Sequence, residues 1–195
     1  MSVVTYKKIW GGRTKNSLLF SILAGILIGL GGLINLRTGG VLGASLFSIG
    51  LLGILSQGLK LFTGMAGDGV NKELWIVLLG NVFGTMIMAI ATGITFPDLT
   101  APDLVGRFEL FPTFFKAVLC GILMTVAVRG WRKGVLWLPI PCVMAFILAG
   151  FSHCIADSYY YFLMRDPAYI LPWLISVVGN LVGCNIPYKR WIQEQ

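Results

Sequence analysis

Five stretches of this chain carry no charged residue at all: 16–36, 38–59, 74–97, 134–156 and 167–188. Each reaches the roughly 20 residues that a helix needs to cross a bilayer. A sixth stretch, 110–128, is long enough but contains Lys116. Only 12% of the 195 residues are charged, about half the share of a soluble domain, and the mean hydropathy is +0.83. The expectation is an all-α integral membrane protein. Six transmembrane helices would form a single domain over 1–195, with no separate soluble domain.

The placement of lysine and arginine sets the expected orientation. Six spans put both termini on one side, which carries Lys7, Lys8, Arg13, Lys15, Lys72, Arg129, Arg132, Lys133, Lys189 and Arg190. The opposite loops hold Arg37, Arg107 and Arg165. Basic residues gather on the cytoplasmic side of membrane proteins, so both termini are expected in the cytoplasm, with the domain in the cell membrane. The net charge of +7 is then a topology signal, and nothing frames it as a nucleic-acid surface. No short apolar core with a small-residue cleavage site opens the chain, so the first span reads as an anchor. Cys120, Cys142, Cys154 and Cys184 all fall inside spans, without a CxxC pair or zinc spacing. They read as small buried hydrophobes, and no metal or other cofactor is expected.

The two halves of the sequence repeat each other. GNVFG at 80–84 matches GNLVG at 179–183, AGILIG at 24–29 resembles CGILMT at 120–125, and GLKLFTG at 58–64 falls where GFSHCIA falls at 150–156. The offsets are 99, 96 and 92, in one order along the chain. The halves run at about 16–96 and 110–188. With three helices each, the second is flipped across the membrane, an inverted 3+3 repeat. The middle span of each half contains helix-breaking residues: Gly58, Lys60, Thr63, Gly64, Gly67 and Gly69 in one, Gly150, Ser152, His153 and Asp157 in the other. Helices 2 and 5 are therefore expected to break near the midplane. Broken backbone is tolerated at that depth only where it lines a cavity or is buried in protein, so the facing breaks mark the pathway. Gly25, Gly29, Gly32, Gly80, Gly84, Gly179 and Gly183 form small-xxx-small spacings that let helices approach closely. Tyr159, Tyr160 and Tyr161 read as an interfacial aromatic belt.

His153 is the chain's single histidine, and an ionisable residue inside a span points to function. An intramembrane enzyme would need a nucleophile–base pair or a metal-ligating set. One histidine without HExxH or paired intramembrane carboxylates supplies neither, so no catalytic residue is assigned.

The pieces FSIGLLGILSQGLKLFTG (47–64), LLGNVFG (78–84) and MAFILAGFSHCIAD (144–157) resemble the formate/nitrite transporter family over nearly the whole chain. That resemblance implies an aquaporin-like fold, a homopentamer with one pore per subunit, and transport of small monovalent anions of the formate, nitrite or hydrosulfide class. It assigns His153 as the central pore histidine and Thr63 as its hydrogen-bonding threonine, with Leu61 and Phe62 in the same loop. It puts Phe47, Leu51, Phe146 and Val128 at two apolar constrictions, and Asn180 near the pore on span six. Departures from the family pattern are Ser152 for a glutamate, Asp157 for an asparagine, Lys60 for an acid and Thr125 for a pore asparagine. Glu109 takes the register of a vestibule lysine, with Arg107 nearby.

Two readings stand beside anion transport: a structural or regulatory membrane protein without transport, and a channel for a small neutral solute. The expected transport mechanism draws an anion toward the mouths by cationic residues. His153, held by Thr63, then supplies positive character or a proton between the apolar rings, because a bare anion crosses them at high cost. Lys60 and Asp157, the two unusual charges, are expected to compensate one another directly or through water.

Overall fold

The computed structural model describes residues 16–101 and 109–191. Lys7, Lys8, Arg13, Lys15 and Arg107, on which part of the expected orientation rests, lie outside the described residues.

The apolar runs form helices: α1 Ser17–Thr38, α2 Gly40–Gln57, the single turn α3 Phe62–Met65, α4 Lys72–Thr95, α5 Leu110–Arg132, α6 Pro139–Leu148, α7 Cys154–Met164 and α8 Ile170–Trp191. Short 3-10 turns, Ala66–Asp68 and Pro167–Tyr169, follow α3 and precede α8. Local signals set several ends. The Asn71 side chain accepts a hydrogen bond from the Leu74 N–H (3.0 Å) and caps α4, and a proline begins α6, where a missing N–H costs nothing. Among the described residues, five segments are long and apolar enough to cross a bilayer: Ser17–Thr38, Gly40–Gln57, Lys72–Thr95, Leu110–Arg132 and Pro167–Ile186.

The remaining expected span is not one continuous helix. It is divided into α6 and α7, with residues 149–153 between them. Gly150 adopts φ 65°, and the Phe151 N–H turns back to the Phe146 carbonyl at 2.8 Å. The end of α2 is built the same way, with Gly58 at φ 65° and the Leu59 N–H on the Ile54 carbonyl at 2.9 Å. Both are Schellman-type helix ends, and a residue with a Cβ enters that left-handed conformation only with strain. Beyond each glycine the backbone is extended to Leu61 (φ −109°, ψ 132°) and His153 (φ −109°, ψ 105°), the residues that open α3 and α7. Asp157, expected to interrupt helix, instead lies inside α7. A carboxylate that faces a cavity need not end the helix carrying it.

Packing follows the repeat. α1 lies against α4 and α2, as α5 lies against α8 and α6. After each break the chain crosses to the other half: α7 packs on α4, and the turn after α3 packs on α8. Glycines set the closest approaches. A Cβ on Gly84 would fall 2.1 Å from the Ile22 carbonyl oxygen, and one on Gly183 would fall 2.0 Å from that of Val118. The other five glycines of the small-residue spacings also abut neighbouring helices. Outside, Leu79, Ile94, Phe111 and Trp137 are exposed, while Asn81, Thr85, Ser158 and Asn180 are buried within. This inversion suits lipid surroundings.

Within the tyrosine run, Tyr159 departs from an interfacial belt, while Tyr160 and Tyr161 are partly exposed. Tyr159 is fully buried against Gly32, with its hydroxyl 3.0 Å from Thr92 Oγ1. Tyr160 accepts from Asn35 at 3.4 Å, and Tyr161 stacks on Tyr169. The glycines of α1 leave room that a tyrosine ring fills, so packing overrides the interfacial preference. The four cysteines are buried and unpaired.

Candidate functional site

Each break exposes backbone groups that helix bonding no longer satisfies, and one asparagine in each half takes them up. Asn81 Oδ1 accepts from the Phe62 N–H at 2.8 Å, while its Nδ2 donates to the carbonyls of Lys60 (2.8 Å) and Ser21 (2.7 Å). Asn180 Oδ1 accepts from the Cys154 N–H at 2.8 Å, and its Nδ2 donates to the carbonyls of Ser152 (2.9 Å) and Ala117 (2.8 Å). Every partner in one set maps onto its counterpart at the repeat offsets. Both amides are fully buried, and all of their bonds go to backbone. Asn180, expected near the pore, is thus a fastener of the break.

Between the fastened breaks lies His153, which is 1% exposed. Its Nδ1 accepts from the Ala156 N–H at 3.2 Å and caps α7. A ring nitrogen that accepts holds no proton, so the proton of the neutral ring sits on Nε2. Nε2 lies 3.0 Å from Thr63 Oγ1 and donates to it. The two breaks are joined at this bond. The imidazole also stacks on Phe146 (centroids 5.3 Å apart), and Phe146 meets Phe47 edge to face at 5.9 Å.

Leu51, Leu61, Phe62 and Val128 are buried in the same apolar core as Phe47 and Phe146. Thr63 is fixed from behind, its carbonyl accepting from Cys184 Sγ at 3.3 Å. Thr125 does not present its hydroxyl to the site. It lies 3.1 Å from both the Gly121 and the Cys184 carbonyls, so it ties α5 to α8.

The expected compensation between Lys60 and Asp157 is replaced by another pair. Lys60 Nζ is bonded to Glu73 Oε1 and lies 2.8 Å from Ser17 Oγ, which itself donates to Glu73 at 2.7 Å. Glu73, in the first turn of α4, is simply the nearer carboxylate. Neither Glu73 nor Asn81 was legible as a site residue, although an amide beside glycine in both copies of GNxxG was a signal for Asn81.

A cavity of about 440 Å³ opens beside His153, toward the end of the bundle where α1 finishes and α5 begins. Phe47 and Phe146 line it, and Asn35, Lys116, Ser152, Asp157 and Tyr160 contribute polar groups. The arrangement offers a polar vestibule, an aromatic wall and then a buried N–H donor held in place by a threonine.

No protein-family model matches the chain. It is similar in sequence to the nitrite transporter NirC of Escherichia coli (strain K12), with 27% identity covering 70% of this chain and 64% of that one. The nitrite transporter NirC of Salmonella typhimurium (strain LT2) is matched at 27% identity with the same coverage. The chain thus spans less than two thirds of the length of these curated relatives. Among solved structures, it is similar to a pentameric formate channel with formate bound, at a TM-score of 0.76 and 21% identity over 92% of this chain and 96% of that one. An FNT family ion channel gives a TM-score of 0.76 and 19% identity over 98% and 96%. These likenesses show the fold.

Proposed function

We propose that the chain belongs to the formate/nitrite transporter family and carries small monovalent anions of the formate, nitrite or hydrosulfide class across the cell membrane, a reading supported by its relatives and its fold. The observation that carries this reading is the His153–Thr63 bond, a side-chain link between two broken, fastened segments inside an apolar core. Its relatives are transport proteins, which favours transport over catalysis.

An anion entering the vestibule meets Lys116 and hydroxyl or amide dipoles. It then reaches the Phe47–Phe146 wall, where shedding water is costly unless a donor replaces it. The donors at that depth are the hydroxyl of Thr63, which keeps its own proton, and the Nε2–H of His153, which reaches a solute only by leaving Thr63. Leu51 and Val128 form the second apolar stretch, with Leu61 and Phe62 shaping the loop that presents Thr63. Both termini face the cytoplasm, and five copies assemble with one pore each. The outer faces of the bundle, apolar and exposed, serve lipid and neighbouring subunits.

The test is flux of formate and nitrite into proteoliposomes, with the assembly weighed by native mass measurement in mild detergent. Saturable or channel-like anion entry by a species of five copies is expected. A monomer that passes neither anion overturns the reading.

A further inference from the structure

Asp157 is left over from this mechanism. It stands four residues after His153, is 8% exposed, and its Oδ2 is covered yet has no hydrogen-bond partner among the described residues. It lines the vestibule together with His153, Tyr160, Tyr161 and Lys116, the last from α5. No ion pair or hydrogen bond joins it to Lys116, and Lys60 is held by Glu73. A bare carboxylate with an unmet oxygen is expensive inside a membrane. Here it also faces the path proposed for an anion, where like charge repels.

Both costs disappear with one proton. A protonated Asp157 donates its O–H to an anion, or the anion's conjugate acid donates its own O–H to the Asp157 carboxylate. We propose that Asp157 contacts the permeating solute and selects conjugate bases of weak oxyacids over anions of strong acids, by sharing a single proton with the solute. The inference rests on the reading of the chain as an anion channel. In the step itself, the O–H bond on Asp157 breaks as an O–H bond forms on the solute anion, giving the neutral acid and a carboxylate. The carboxylate regains its proton from hydronium at the mouth, and the neutral acid returns its proton to water where it leaves the pore, so protons and charge balance. The anion of a strong acid has no affinity for that proton and meets only the carboxyl's bulk or its charge.

Formate and nitrate serve as probes, being small planar oxyanions of which only formate belongs to a weak acid. In liposomes at one fixed pH, the full chain is expected to pass formate in preference to nitrate. Asp157→Asn keeps the size and a donor but cannot share a proton. It is expected to reduce the formate preference by about tenfold, the scale of one lost charge-assisted hydrogen bond. Asp157→Glu is expected to retain most of the preference. An Asp157→Asn channel with the wild-type preference overturns this inference and leaves anion transport standing. A wild-type chain that passes neither formate nor nitrite overturns both. If the asparagine variant fails to assemble, infrared difference spectra of the wild type decide. A protonated-carboxyl band that changes when formate replaces nitrate supports the proposal, and its absence overturns it.

Discussion

Asn81 and Asn180 make the same three hydrogen bonds on opposite halves of the molecule, each to one N–H and two carbonyls around a helix break. Neither side chain has a donor left for an anion. They fix the geometry that His153 and Thr63 depend on without touching the path.

Asn81→Leu and Asn180→Leu are therefore expected to destabilise the protein to a similar degree. Each leaves buried backbone groups unmet, at about 1–3 kcal/mol for a single orphaned group. Asn→Asp at either site keeps the acceptor and loses the donors, so it should fall between. Thermal unfolding in detergent measures this, and a large asymmetry between the two sites would argue against equivalent roles.

His153→Asn should leave folding nearly intact, because asparagine also caps helices well. It carries no titratable ring, so any pH dependence of flux that the imidazole imposes is expected to vanish. His153→Phe loses both the cap and the bond to Thr63. It should cost about 1 kcal/mol from the cap and abolish flux. Liposome flux over a pH series, with oligomer size checked in parallel, reads both effects.

A double-mutant cycle on Lys60→Met and Glu73→Gln is expected to show coupling on the order of 1 kcal/mol, since removing either partner strands the other. The matching cycle on Lys60→Met and Asp157→Asn should be additive. Coupling in the second cycle and none in the first would restore the pairing that the sequence alone suggested.

Gly183→Ala places a methyl 2.0 Å from the Val118 carbonyl oxygen, so α5 and α8 must separate. A loss of about 1–3 kcal/mol is expected, the usual scale of overpacking. Gly64→Ala serves as the contrast. Its Cβ would sit 3.5 Å from Val128 Cγ2, an ordinary contact, and the variant should unfold near the wild-type temperature.

The long charge-free runs and paired motifs made the spans and the repeat legible, because lipid leaves so few options for backbone and charge. The His153–Thr63 pair was legible through resemblance, and the structure supplies its distance and tautomer. Three features were hidden. Asn81 looked like part of a glycine packing motif, since the backbone groups it serves exist only once Gly58 has ended α2. Glu73 is thirteen residues from Lys60 and becomes its partner only when the chain turns back after α3. The burial of Tyr159 depended on room left by glycines over a hundred residues away, which no local pattern encodes.

The crossing of the chain after each break also bears on biogenesis. α7 belongs to the core around α4, and the turn after α3 belongs to the core around α8. When the first three spans leave the ribosome, Asn81 can already fasten its break, but the threonine beyond it has no histidine and α4 has no α7 to cover its polar side. The early half must wait in the bilayer with the polar side of α4 uncovered, Thr85 bonded only to its own helix at Val82, until Ser158 arrives 2.8 Å away. Truncation anywhere before α7 should therefore leave a chain that inserts but does not lock, and that membrane quality control would recognise by that uncovered polar face.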